Sequence, residues 1–461
     1  MKVNRLLFWV LLACLLLAVV GPQAVSDDFV AARYLPSPLN YTLFFLCIVL
    51  VCFIRDPLSR IVAAGWALWL VVGNLFIFGS HFRRRLAAPL YVQDANTLFL
   101  IATACFCGGI VAFEFLRRPQ VEGKPRELSK LATPAALALY AFPVVYALSL
   151  VVWRVPTILS GENIVDLMYE VDRGPVYALR TVLIMTTIAI VASTKRLARL
   201  EHTFFLVAVV VALLLLSILD GKRDLALAAV IGMGAHFLIV RNGNVRFFHI
   251  VAVLATAIAY SIISDVRAAR VSGNEPAILY IITALGVEYK DFVHSINYLS
   301  IEKMQSIGYD WWKSSVASLL NRSLLGVFGV DKDAWVQMDS ARAWMRAYGI
   351  TLGIRTGIVS EMYYAFGYFV FAATAILGFL LAFIVRRIRK AKSVLGYVYW
   401  LAMFATFSMS IMGQTTSVLG AFVTLTYAVV GVFLLSRVFA PRLLFAPNPY
   451  QQPTPIQVEE E

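Results

Sequence analysis

The chain has 461 residues, 60% of them hydrophobic and 15% charged, with a formal net charge of +13. Soluble domains average about 45–50% apolar and about 25% charged residues, so a soluble globular protein is excluded. The positive charge reads as a membrane-topology signal rather than a nucleic-acid surface, because most basic residues of the short connecting segments fall on one side of the apolar runs.

Apolar runs long enough to cross a hydrocarbon layer about 30 Å thick recur along the chain. In lipid the backbone must satisfy its own hydrogen bonds, so each is expected to be a helix. They lie near 6–21, 39–54, 61–79, 97–116, 133–153, 177–194, 203–219, 225–240, 247–264, 358–385, 394–413 and 417–436. The expected fold is therefore all-α, a polytopic bundle of about 12 transmembrane helices. The division is 1–264 (nine helices), 265–357 (a long extracytoplasmic loop), 358–440 (three helices) and 441–461 (a Pro- and Gln-rich tail, expected to be disordered). The first run follows Lys2 and Arg5 and reads as an uncleaved helix, since Cys14 sits inside it rather than after it. The five cysteines lie in or at the edges of helices. Cys105-x-Cys107 has no accompanying His or acid, so no metal and no structural disulfide are expected.

With both termini cytoplasmic, the short cytoplasmic segments carry more than twice the Lys and Arg of the opposite short segments. Arg83-Arg84-Arg85 runs against that trend. The outer surface then comprises 80–96, the acidic stretch 154–176, the turn Asp220 to Asp224 and the long loop. Segment 285–304 of that loop has helical spacing suited to a membrane interface.

No nucleotide-binding, zinc-protease or nucleophile-elbow motif is present. Ionisable residues are nearly absent from the middle of the runs, which argues against an ion pathway. The unusual polar residues gather instead at outer helix ends. Lys222 and Arg223 lie in a turn where a lipid headgroup would sit, and arginine offers a planar fork of donors to phosphate oxygens. A solvated turn is the plain alternative. Arg342, Arg346 and Arg355 approach the membrane from the loop, and Glu361 follows about a turn inside the next apolar run, as an anion site with a base or as a structural ion pair. Glu288, Asp291 and His294 share one helical face, where His294 is a second candidate base or part of a solvated surface. Trp311, Trp312, Trp335 and Trp344 suit stacking on sugar faces, or equally a loop core or interfacial belt.

Two stretches carry a family resemblance. Ser217-Ile-Leu-Asp-Gly221-Lys-Arg223-Asp opens a helix at an outer turn. Gly357-Ile-Val-Ser-Glu361-Met-Tyr363-Tyr-Ala-Phe366-Gly367 follows the long loop. Together with helix number and loop position, these resemble the bacterial O-antigen and oligosaccharide repeat-unit polymerases of the Wzy type. Asp224 departs from the family, where Ser or Thr often follows the arginine. The resemblance implies a GT-C-like fold in the bacterial inner membrane and a substrate of oligosaccharide units on polyprenyl diphosphate. It implies transfer of the growing chain to the next unit, with lipid diphosphate as leaving group and no cofactor. Arg223 and Arg355, with Lys222, Arg342 and Arg346, would bind the diphosphate, and Glu361 or His294 would be catalytic as the base. Trp311, Trp312, Trp335 and Trp344 would hold sugar. The implied partners are the lipid bilayer, a chain-length regulator and a flippase, with no nucleic acid. An O-antigen ligase, a lipid-linked glycan flippase or other transporter, and a non-catalytic assembly subunit are the competing readings.

Overall fold

The computed structural model describes residues 9, 13, 37–77, 92–116, 133–159, 181–192, 199–219, 223–240, 287–320, 322–348, 357–411 and 413–439. The expected helix at 247–264, most of that at 6–21, Arg83-Arg84-Arg85, the acidic stretch beyond residue 159, Lys222, Arg355 and the tail lie outside the described residues. All regular structure among the described residues is helical. In chain order the helices are α1 (Pro38–Phe53), α2 (Pro57–Ile77), α3 (Val92–Leu116), α4 (Thr133–Leu159), α5 (Val182–Ala192), α6 (Arg199–Leu219) and α7 (Arg223–Val240). The loop contributes α8 (Val287–Tyr298), α9 (Ile301–Ser306), α10 (Trp311–Leu319), α11 (Arg322–Val327), α12 (Lys332–Val336) and α13 (Ser340–Tyr348). They are followed by α14 (Gly357–Phe366), α15 (Val370–Lys390), α16 (Val394–Ser408) and α17 (Thr415–Phe439).

Among the described residues, four helical stretches are long and apolar enough to cross a membrane: Gln93–Leu116, Gly357–Lys390, Val394–Ile411 and Thr415–Leu434. Shorter apolar helices cover Pro38–Phe53, Ala138–Ser149, Val182–Ala192, Thr203–Leu215 and Leu225–Val240. This is the pattern of an α-helical membrane protein.

Local chemistry sets the helix ends. Ser37 and Asn40 form a reciprocal capping box at the start of α1, the Asn40 N–H donating to Ser37 Oγ at 3.2 Å and the Ser37 N–H to Asn40 Oδ1 at 3.0 Å, with Pro38 at the first helical position. Asp56 caps α2 by accepting from the Leu58 N–H at 2.9 Å. The span Gly357–Lys390 is not one rod. Gly367, at φ +58°, opens a 3-10 turn over Gly367–Phe369 that separates α14 from α15.

Cross-helix contacts give the direction of packing. Asn40 Nδ2 donates to Thr97 Oγ1 at 2.8 Å near the first residues of α1 and α3. At the other end, the Glu114 carboxylate accepts the Arg55 N–H at 2.7 Å and the Asp56 N–H at 3.1 Å. So α1 and α3 run in the same direction, with α2 returning between them. Helix α15 joins as a third parallel member. A β-carbon added at Gly109 would overlap the Ala375 carbonyl, and Phe113 meets Phe379 edge-on at 4.7 Å one turn further along both helices. A β-carbon at Gly378 would likewise overlap the Phe106 carbonyl. Glycine at these positions lets the two backbones touch, as small residues do between membrane helices. Arg389, near the end of α15, pairs with Asp56 at 2.5 Å.

The described part of the long loop is a folded helical layer. Segment 285–304 is divided, because Ser300 caps α9 through the Lys303 N–H at 3.1 Å. Its first half turns one face inward to the bundle. Tyr289, Phe292 and Val293 are buried in the core of the membrane helices. Tyr289 meets Trp69 edge-on at 5.1 Å, and its hydroxyl donates to Asn96 Oδ1. The aromatic edges of α2 and α3 supply a better partner for this face than an interface would. A second small core, Leu299, Met304, Tyr309, Ala343, Trp344 and Tyr364, joins the loop helices to α14.

Candidate functional site

Helix α14 enters the bundle with glycine at its first position. Gly357 has φ +76°, and a β-carbon there would lie 2.9 Å from the Ile411 carbonyl oxygen. That close approach brings α14 against the segment between α16 and α17, and with it Glu361. Glu361 is 0% exposed. Its Oε2 accepts two hydrogen bonds from Thr415, the backbone N–H at 2.5 Å and the hydroxyl at 2.8 Å. Thr415 is the first residue of α17, so a carboxylate from another helix satisfies one of that helix's otherwise unpaired N–H groups and complements its dipole. The second oxygen, Glu361 Oε1, is buried without a hydrogen-bond partner. A buried carboxylate oxygen left open in this way is a place where a donor is expected to bind.

The loop closes over the same point. The Tyr309 hydroxyl donates to the Glu361 backbone carbonyl at 2.8 Å, and Trp311 Nε1 donates to Thr415 Oγ1 at 3.3 Å. The Trp311 ring packs edge-on to Phe366 at 4.9 Å and to Trp312 at 4.8 Å. Burial pushes the Tyr309 hydroxyl well above the usual tyrosine range, with the charges of Glu361 and Asp339 adding to the shift, so it stays a donor.

Asp339 is a second buried acid in this layer. It caps α13, accepting from the Arg342 N–H at 2.8 Å, with Arg342 Nε 3.5 Å from its other oxygen. Burial raises its carboxyl above the usual aspartate value, although Arg342 and the backbone hydrogen bond oppose the shift.

The residues singled out from sequence divide unevenly. Glu361 occupies the centre of this arrangement. Arg342 is drawn to Asp339, and its guanidinium donates to the Val336 carbonyl at 2.8 Å. Arg346 is exposed and donates to the Gln337 carbonyl at 2.8 Å. Arg223 opens α7, the helix position expected for it, and only its backbone is described. His294 and Asp291 are half-buried on α8, and the His294 ring stacks on Tyr298 at 5.5 Å rather than joining Glu361. Trp344 is core, Trp311 and Trp335 are half-buried, and Trp312 presents 66% of its surface. Among the described residues no group of three or more His, Cys, Asp or Glu side chains is arranged to hold a metal.

Sequence reasoning missed Thr415, Tyr309 and Asp339. Asp339 carried a readable signal, since an Asp three residues before Arg342 at a helix start is a capping pattern. Thr415 carried none, because threonine at a helix start is commonplace.

No family model, curated protein or solved structure matches this chain.

Proposed function

We propose that this protein is a membrane glycosyltransferase of the bacterial inner membrane. In this reading it joins oligosaccharide repeat units carried on polyprenyl diphosphate at the outer face, with both termini cytoplasmic. The observation that carries it is Glu361, a fully enclosed acid in an apolar span that has one oxygen anchored and the other open. The polymerase resemblance of Gly357–Gly367, and the arginines of the preceding loop, support the same reading.

The acceptor sugar hydroxyl attacks the anomeric carbon of the growing chain, and its proton passes to Glu361 Oε1. The bond from the anomeric carbon to the diphosphate oxygen breaks. Arg223 and Arg355, with Lys222, Arg342 and Arg346 nearby in sequence order, balance the charge that develops on the departing diphosphate. Trp312 offers an open face to a sugar ring. Because Glu361 is enclosed by Tyr309, Trp311 and Thr415, substrate binding has to part the Tyr309–Trp311 segment from α14.

The test is turnover by purified full-length protein of a polyprenyl-diphosphate-linked repeat unit, beside Arg223→Ala, Arg355→Ala and Glu361→Gln at matched folded yield. A ladder of lengthening lipid-linked glycans from the wild type, absent in the three variants, is expected. Transfer only to a lipid A core acceptor makes the protein a ligase, and translocation without transfer makes it a flippase.

A further inference from the structure

The loop holds a second apolar feature that the glycosyl-transfer reading does not use. From Ser314 to Val330 the sequence has a single ionisable residue, Arg322. The segment folds as α10 and α11 with a tight turn after α11, where Gly329 sits at φ +68°. Its outward side chains are large and apolar: Leu319, Leu324, Val327 at 83% exposure and Phe328 at 72%. Neighbouring apolar side chains exposed to that degree mark a contact surface.

Its position says what that surface meets. Helix α10 packs against α17, and Trp311 Nε1 reaches Thr415, the first residue of the Thr415–Leu434 span. Trp312, the next residue, packs on Phe366 at 6.4 Å, just before exposed Tyr368 and Phe369. These two lead directly into the exposed Ile376, Phe379 and Leu380 of α15. Helix α10 thus stands at the start of a membrane-length helix, beside exposed aromatic side chains typical of a membrane–water boundary.

The backbone chemistry agrees. Buried in hydrocarbon, a turn must satisfy its own polar groups. The Leu320 N–H donates to the Val316 carbonyl, the Phe328 and Val330 N–H groups to the Leu325 carbonyl, and the Gly329 N–H to the Gly326 carbonyl, all at 3.0 Å. The Leu320 carbonyl, past the end of α10, accepts from Lys332 Nζ at 2.7 Å. Lysine on a long apolar stem suits a group whose base lies in polar surroundings. Charged residues bound the segment at both ends: Asp310 and Lys313, paired at 3.2 Å, before it, and Asp331 and Asp333 after it. Inside these ends the one ionisable residue is Arg322, at the first position of α11, a full turn before Val327.

We propose that the apolar turn after α11 inserts Val327 and Phe328 into the acyl layer of the membrane near the start of α17.

The experiment uses the full-length chain reconstituted in phosphatidylcholine vesicles, with a fluorophore on Phe328→Cys or, as a second position, Val327→Cys. Gln305→Cys on exposed α9 is the aqueous reference and Ile376→Cys on α15 is the acyl-layer reference. The unsubstituted chain, labelled in parallel, corrects for the five native cysteines. The probes are lipids brominated on the acyl chain and aqueous iodide. Labels at 327 and 328 are expected to follow Ile376, quenched by bromine and sheltered from iodide, with Gln305 the reverse. Iodide quenching at 327 and 328 overturns the insertion. Shelter from both quenchers also overturns it and makes the patch a protein contact. A reference at Ile376 that bromine does not reach would overturn the assignment of α15 to the membrane, a separate failure.

Discussion

Glu361 Oε2 receives both the N–H and the hydroxyl of Thr415, so an acid on α14 caps a helix that begins more than fifty residues later in the chain. In the proposed mechanism the same carboxylate both holds α17 in place and accepts a proton, and substitution separates the two duties. Glu361→Gln keeps an oxygen for Thr415 and removes the basic lone pair. It is expected to melt close to the wild type while losing glycan extension. Glu361→Ala strands the Thr415 N–H, costing about 1–3 kcal/mol, and loses both properties. Thermal unfolding in detergent beside the glycan ladder reads the pair. A Glu361→Gln protein that still extends glycans leaves Glu361 a cap and nothing more.

The seam between α3 and α15 is predicted to be intolerant of any added atom. Gly378→Ala and Gly109→Ala each place a methyl group into a carbonyl of the facing helix. Because both clashes are with backbone, the helices themselves must separate, and overpacking of this kind costs about 1–3 kcal/mol or more. Monodisperse yield on size-exclusion chromatography should fall sharply for both. Gly108→Ala, with nothing within 4 Å of the new β-carbon, is the neighbouring control and should behave as wild type or better.

Asp56 has three duties, of which the pairing with Arg389 is one. It caps α2, donates its own N–H to Glu114, and pairs with Arg389. The Arg389 side chain is 37% exposed. Arg389→Gln should therefore cost no more than about 1 kcal/mol. Asp56→Ala loses the cap as well and should cost roughly 1–3 kcal/mol in total. Equal effects of the two in chemical denaturation would mean that the cap contributes nothing.

Burial raises the Asp339 carboxyl above its ordinary value, so the folded state holds this proton more tightly than the unfolded chain does. The associated stability is present at low pH and is lost as pH rises through the folded-state value. Asp339→Asn keeps an oxygen for the Arg342 N–H without the buried charge. Its melting temperature relative to wild type should be highest near neutral pH, and the advantage should shrink as pH falls toward about 4. Asp339→Ala, lacking the cap, should be less stable than Asp339→Asn by about 1 kcal/mol at every pH.

Helix positions were legible because uninterrupted apolar runs have few other structures open to them; α1, α3, α7 and α16 start within a few residues of the expected places. Glu361 was legible because an acid in such a run is costly. Other features were not. The break at Gly367 passes unnoticed in a hydropathy window, since glycine is neutral there and the chain resumes at once. Segment 285–304 alternates polar and apolar residues as an interfacial helix would, and only the aromatic edges of Trp69 and Phe99 decide that Tyr289 and Phe292 are buried instead. Arg342 and Arg346 read in sequence as anion ligands or as members of a structural ion pair; both donate to carbonyls of their own loop, a pairing that depends on how α12 meets α13. Trp344 shares its residue type with Trp312 but not its surroundings, and sequence separates the two poorly.

The glycine-lined contact also dictates a timetable for biogenesis. Gly109 meets a residue made 266 positions later, Ala375. At about 5–20 residues per second, translation of the intervening chain takes roughly 15–50 s. Throughout that interval the bare backbone stripe of α3 faces lipid or an insertion chaperone. The N-terminal part of the protein therefore waits, already in the bilayer, for the helix that completes it, and a ribosome stalled before Val370 leaves a half-built bundle with that stripe exposed to membrane quality control.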